Sequence, residues 1–230
     1  MGRTRVRDRP LRGVTSGILL IAALSTGCLP PRAGPLLGVP SPMPLPMTVL
    51  PPGYQRVRFH WRYRDLDGSA SGDGAARIAP PDSARLDFLL SGPIGGGGYA
   101  LLLGDTLVAP GNGGARRYLP ATPLLWATLG RLAVPAAADT VIRVDGDTLR
   151  ADIGGTSGVG KDASTWRVAF VDGQMVSLAR LSGGRVHEVV TRDLQHARVH
   201  YENTGARRSL TLTQVRSEAV AEFDPDVWRR

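Results

Sequence analysis

The clearest hydropathy pattern in the chain runs from Arg56 to Arg64, where polar and apolar residues alternate without a break. Val57, Phe59, Trp61 and Tyr63 fall on one side of an extended strand, and Arg56, Arg58, His60, Arg62 and Arg64 on the other. A period of two is the signature of a sheet with one buried and one wet face. The aromatic side is then either ordinary core or the lining of an apolar cavity, since both demand the same side chains. The arginine side reads as a solvated surface.

Strand-like segments recur at 75–79, 85–90, 99–103, 107–109, 141–144, 148–153, 166–171, 175–181, 185–192, 197–202 and 208–213. Turn signals separate them, among them Pro80-Pro81-Asp82-Ser83, Asp145-Gly146, Asp172-Gly173 and Ser182-Gly183-Gly184, the punctuation expected of hairpins. The glycine- and serine-rich stretch 65–74 reads as a loop. One helical pattern spans 122–132, where Pro123 suits a first turn and Leu124, Leu125, Trp126, Leu129 and Leu132 crowd one side. That helix either caps the sheet or covers a hollow as a lid. About ten strands in meander order predict a mainly β fold, a strongly curved antiparallel sheet or open half-barrel with one or two short helices as lid. If the curve encloses a cavity, its lining is expected from Val57, Phe59, Trp61, Tyr63, Leu86, Phe88, Leu125, Trp126 and Trp166.

The N-terminus changes the picture from fold to address. Arg3, Arg5, Arg7, Arg9 and Arg12 face a single acid, Asp8, so half of the formal net charge of +8 sits in the first twelve residues. Residues 13–24 then carry no ionisable group and include the apolar run Ile18-Leu19-Leu20-Ile21-Ala22-Ala23-Leu24. This is the length of a signal-peptide core and too short to cross a bilayer of about 30 Å as a helix. It ends on Leu24-Ser25-Thr26-Gly27-Cys28, and Cys28 is the only cysteine of the chain. The stretch resembles the lipobox of bacterial lipoprotein signal peptides, with Ser25 departing from the leucine that the family favours. The resemblance implies removal of residues 1–27 and acylation of Cys28 with palmitate-like chains, against the alternative of an ordinary secretory peptide with an incidental cysteine. Two or more acyl chains make membrane attachment lasting. Leu29 follows the cysteine where an aspartate would signal retention, so the resemblance implies the outer membrane, at its periplasmic face. The outer face of the inner membrane is the alternative.

Residues 28–54 are Pro-rich and nearly uncharged, which reads as an extended tether. A single β domain is expected over 55–230. With one cysteine there is no internal disulfide, so packing must supply the stability. The high pI, ≈ 10.6, belongs partly to the targeting segment, and the remaining arginines are interspersed with acids, which argues against a nucleic-acid partner.

Motifs that suggest chemistry fail on their details. Gly155-Thr156-Ser157-Gly158-Val159-Gly160-Lys161 matches a phosphate-binding loop until Asp162 stands where a serine or threonine should hold magnesium. A strand pattern follows where the motif needs a helix, so no nucleotide is expected. Asp65-Leu66-Asp67-Gly68 lacks the further ligands of a calcium loop. His196 and His200, taken as residues of one strand, would stand about 13 Å apart by strand rise, too far to share an ion. No nucleophile, base and acid set is recognisable. The reading is a protein with no cofactor, no metal and no enzymatic activity.

The aromatic strand 57–63, the turn and strand Pro80-Pro81-Asp82-Ser83-Ala84-Arg85-Leu86-Asp87, the late strand Arg198-Val199-His200-Tyr201-Glu202 and the lipobox-like Cys28 together resemble the LolA/LolB-like carrier and receptor proteins of lipoprotein sorting. The resemblance spans roughly residues 55–213. It implies an incomplete barrel whose apolar cavity holds acyl chains, with a lipoprotein as client. The alternative is a non-catalytic envelope scaffold in which the same face is packed core and an exposed surface recruits a partner.

Overall fold

The alternating aromatic segment lies inside one large antiparallel sheet. The computed structural model describes residues 30–92, 96–110, 119–135, 137, 139–154 and 164–229. Cys28, the residues before it that are expected to target the chain, and the Gly155 to Lys161 stretch lie outside these residues. The described elements are β1 (Val39–Pro40), β2 (Tyr54–Arg64), β3 (Ser69–Ala79), β4 (Ser83–Leu90), β5 (Gly97–Leu103), β6 (Thr106–Val108), α1 (Thr122–Thr128), β7 (Val141–Asp145), β8 (Thr148–Ile153), β9 (Ser164–Val171), β10 (Gln174–Ser182), β11 (Arg185–Asp193), β12 (Arg198–Asn203), β13 (Arg208–Val220) and a closing 3-10 turn (Pro225–Trp228). The strand order is β1-β7-β8-β9-β10-β11-β12-β13-β2-β3-β4-β5-β6. Two meanders are thus joined where the last strand pairs with β2, and α1 lies on the crossover between β6 and β7. The sheet remains open, with β1 and β6 at its edges.

The expected loop at 65–74 is strand from Ser69 onward. Glycine is poor in strands because it has no side chain to pack, yet here neighbours occupy the space a side chain would need, the Leu89 backbone at Gly72 and the Phe59 ring at Gly74. Gly72 pairs with Trp61 and Gly74 with Phe59, and both rings reach Phe88 edge to face, with centroids 5.9 and 5.7 Å away. The helix is shorter than expected: it stops at Thr128, and Gly130 follows in a left-handed conformation, φ 88°, a common way to end a helix. His196 lies in the β11–β12 turn rather than on a strand, donating its backbone N–H to Asp193.

The hairpins divide into two ends. The β2–β3, β10–β11 and β12–β13 turns lie at one end, the β3–β4, β5–β6, β9–β10 and β11–β12 turns at the other. Helix α1 packs against β10, β11 and β12, and the indole Nε1 of Trp126 donates to the Gly104 carbonyl in the β5–β6 turn at 2.7 Å. It therefore spans the concavity at the second end as a plug. Leu124, Leu125, Trp126 and Ala127 have no exposed surface. One contiguous core joins them to Phe59, Leu86, Leu102, Phe170, Leu178, Val190 and Leu212 from both meanders.

The Pro-rich stretch from residue 30 is extended, but it lies along the domain instead of standing clear of it. The Pro30 carbonyl accepts from Arg185 Nη1 at 2.8 Å and the Gly34 carbonyl from Arg167 Nη1 at 2.6 Å. β1 then pairs with β7, Met47 accepts from the Leu132 N–H at 2.8 Å, and Leu50 is buried in the core. Prolines cannot donate to a ladder, so arginine side chains and the few free N–H groups fasten the strap. On the convex face several wet-side charges are paired: Arg56 with Glu218, His60 with Asp73, Arg77 and Arg85 with Asp87, and Arg167 with Asp152.

Candidate functional site: an apolar hollow at the open end

Phe59, Trp61 and Tyr63 point to the concave side because the strand period leaves them no other choice, and all three are buried. Around them the inward row is uneven. Ala70 stands opposite Tyr63, and Gly98 on β5 opposite Phe88. Small residues facing large ones leave space. The result is a hollow of about 570 Å³ lined by Trp61, Tyr63, Phe88, Leu90, Leu119 and Leu210, with Asp65, Asp67 and Ser69 at its rim. A Cβ added at Gly98 would meet no atom within 4 Å.

The rim is ordered by the β2–β3 turn. Asp65 accepts from the N–H groups of Asp67 and Gly68 at 2.9 and 3.0 Å, and from Tyr63 Oη at 3.0 Å. Desolvation pulls the Asp65 carboxyl upward, but these hydrogen bonds and the Arg208 charge outweigh it and hold the group below the usual carboxylate range. This aspartate is a turn residue, one oxygen taken by the turn backbone and the other by Tyr63. Leu66, Leu89 and Leu90 are exposed at the same end of the sheet, Leu66 to 71%.

A second hollow of about 190 Å³ lies toward the plugged end, lined by Val57, Phe59, Ala76, Leu86 and Leu212 together with Thr128, Leu129, Arg192, Asp193 and Arg198. A third, about 340 Å³, lies between the strap and the helix end, against Met47, Leu50, Ile78, Gly130 and Arg192. The aromatic cluster of Phe59, Trp61 and Phe88 stands between the first two.

The structure therefore divides the expected lining residues. Trp61, Tyr63 and Phe88 line the large hollow, and Val57, Phe59 and Leu86 the second. Leu125 and Trp126 lie inside packed core and line none of the three, while half-buried Trp166 on β9 packs against the core from the other meander. Leu90, Leu119, Leu210 and Gly98 were not anticipated. The alternation of Leu210 and Leu212 on the last strand could have pointed to Leu210; nothing local singles out Gly98. Cys28 lies outside the described residues.

The polar groups on the concave side are few. Glu188 is 5% exposed and accepts from Tyr201 Oη at 2.7 Å and Asn203 Nδ2 at 3.0 Å, with Arg180 Nη2 at 2.6 Å. Burial, reinforced by the bond and charge of Glu188, pushes the Tyr201 phenol well above its usual range. Among the described residues no three His, Cys, Asp or Glu side chains gather as a metal site. The large hollow is walled mostly by apolar side chains, with its polar groups at the rim.

No protein-family model matches the chain, and no curated protein matches it by sequence. Solved structures with a similar backbone include a LolA superfamily protein from Nitrosomonas europaea, 11% identical with TM-score 0.49, covering 80% of this chain and 93% of that one. Another is a domain described as an outer membrane lipoprotein-sorting protein from Vibrio parahaemolyticus, 11% identical, TM-score 0.40, covering 77% and 89%. A third is a DUF1329 family protein from Desulfovibrio piger, 8% identical, TM-score 0.44, covering 77% and 90%. These are likenesses of backbone at low identity, and neither binding nor activity follows from them.

Proposed function

We propose that this protein is a lipid-anchored envelope protein that binds an acyl chain or another apolar ligand in its half-barrel, with Cys28 as the acylated residue, and that it acts as a non-enzymatic carrier or receptor in lipoprotein localisation. The observation that carries the reading is the hollow lined by Trp61, Tyr63, Phe88 and Leu210 at the unplugged end of the sheet. Its volume falls within the roughly 300–1,000 Å³ of small-molecule sites. Each methylene transferred into such a place gains about 0.8 kcal/mol, so an acyl chain needs no polar contact to be held. The lipobox-like sequence and the charged, then apolar, N-terminus support an outer-membrane location at the periplasmic face.

Native mass spectrometry of the protein purified from membranes, followed by organic extraction, tests the ligand. The expected result is a bound lipid released by solvent; a protein with no adduct and no extractable lipid overturns the reading. Metabolic labelling with a palmitate analogue tests the anchor: the signal should be present in the wild type and lost in Cys28→Ala. A second reading, an envelope scaffold, draws support from the full burial of Leu125 and Trp126, which seats α1 in packed core. Crosslinking in cells separates the two, because a carrier traps lipidated clients and a scaffold one fixed neighbour.

A further inference from the structure

Arg192 stands on the inward row of β11 after Glu188 and Val190; Glu188 on that row has Tyr201, Asn203 and Arg180 as partners. Its guanidinium borders both the second hollow and the space beneath the strap. Nη1 donates to the Met175 carbonyl at 3.1 Å, and the group lies against the helix end, where a Cβ on Gly130 would come within 2.8 Å of Nη1. The Nε is shielded from solvent and makes no hydrogen bond. Among the described residues no carboxylate forms an ion pair with Arg192. Its sequence neighbour Asp193 is engaged by His196, through the backbone N–H at 3.1 Å and ring Nδ1 at 2.7 Å.

A guanidinium carries five donors, and a shielded donor without a partner costs free energy. The C-terminal end of α1 offers part of the compensation, since cations are favoured there, but a seven-residue helix supplies no formal negative charge. Burial acts to lower the Arg192 pKa with no charge opposing it. The hollow beside it is apolar on the far side, through Val57, Phe59, Ala76, Leu86 and Leu212, and its lining continues to exposed Leu194, Ala197 and Arg198 at the β11–β12 turn.

We propose that Arg192 is the headgroup site for an acidic single-chain amphiphile, its carboxylate bound at the guanidinium and its hydrocarbon chain against Val57, Phe59 and Leu86. This assignment rests on the reading of the half-barrel as an apolar-ligand binder and adds to it a second ligand position, in the smaller hollow beyond the Phe59, Trp61 and Phe88 cluster. Carboxylates suit the guanidinium fork, whose bonds are charge-assisted.

The test uses the processed protein with decanoate, 1-decanol of the same chain length, and inorganic phosphate as the anion without a chain. By calorimetric titration, Arg192→Gln should weaken decanoate ten-fold or more and leave decanol within two-fold. In the wild type, the Arg192 Nε–H resonance should shift with decanoate and stay in place with decanol, a measurement that decides the matter even where the variant fails to fold. Unchanged decanoate affinity in Arg192→Gln, equal losses for acid and alcohol, or an unmoved Nε–H overturns the proposal. An equal shift with phosphate at the same concentration marks a free-anion site and also overturns it. Binding of decanol without decanoate, or failure of both amphiphiles to bind, overturns the headgroup site and leaves the reading of the large hollow to the lipid extraction described above.

Discussion

Phe59 on β2 and Gly74 on β3 are direct partners across the sheet, and the phenyl ring fills the space a side chain at residue 74 would need. A Cβ there would lie 2.3 Å from the ring and 2.7 Å from the Asp87 carbonyl oxygen, one neighbour being backbone. Gly74→Ala is therefore expected to destabilise the fold by about 1–3 kcal/mol, the usual cost of overpacking. Urea unfolding measures it, and a midpoint equal to the wild type would show that the ring has room to move aside.

Gly98 offers the opposite case. Its Cβ position opens on the large hollow with nothing within 4 Å, and its backbone is ordinary strand paired with Phe88. Gly98→Leu should keep or raise stability, because it removes a glycine from a strand and adds apolar contact, while it fills the cavity. The expected outcome is loss of co-purified lipid with an unchanged or higher Tm. Full retention of lipid would place the ligand elsewhere.

Trp126 has no exposed surface and anchors α1 through its indole N–H to Gly104. Trp126→Ala should cost about 3–5 kcal/mol, as large-to-small changes at packed aromatic sites do. Hydrogen exchange gives a gentler check. The N–H groups of Leu125 and Leu129, bonded to Ala121 and Trp126, should exchange as slowly as core strands; exchange orders of magnitude faster would mean that the helix opens readily.

Tyr201 gives stability a dependence on high pH. Its phenol is raised in the folded state by burial and by Glu188, so the native state holds the proton more tightly than the unfolded chain. The contribution is complete below the unfolded tyrosine value of about 10, and it is lost as pH rises from there toward the folded value. Tyr201→Phe should remove the part of the alkaline decline that belongs to this group. At neutral pH it should cost roughly 1–3 kcal/mol by leaving Glu188 short of a donor. Denaturation midpoints at pH 8 and 11 for both proteins compare the two slopes.

Much of the sheet was legible because a strand exposes its faces in strict alternation, so Val57 to Tyr63 declared an inward and an outward side before any partner was known. Hairpin order followed from turns such as Asp172-Gly173 and Ser182-Gly183-Gly184, which act over a few residues. The N-terminal pattern of charge, apolar run and cysteine is equally local. What only the tertiary structure decided depends on residues far apart in the chain. Gly72 and Gly74 fit a strand because the Leu89 backbone and the Phe59 ring occupy the space that side chains there would need. The Pro-rich segment is a strap because Arg167, Arg185 and Leu132 reach it from other elements. The hollow exists because Gly98 happens to stand opposite Phe88, and Arg192 occupies an inward row that its charge alone would have assigned to solvent. Periodicity is a property of one strand, while free volume and an unmatched charge are properties of the strands and helix that close around it.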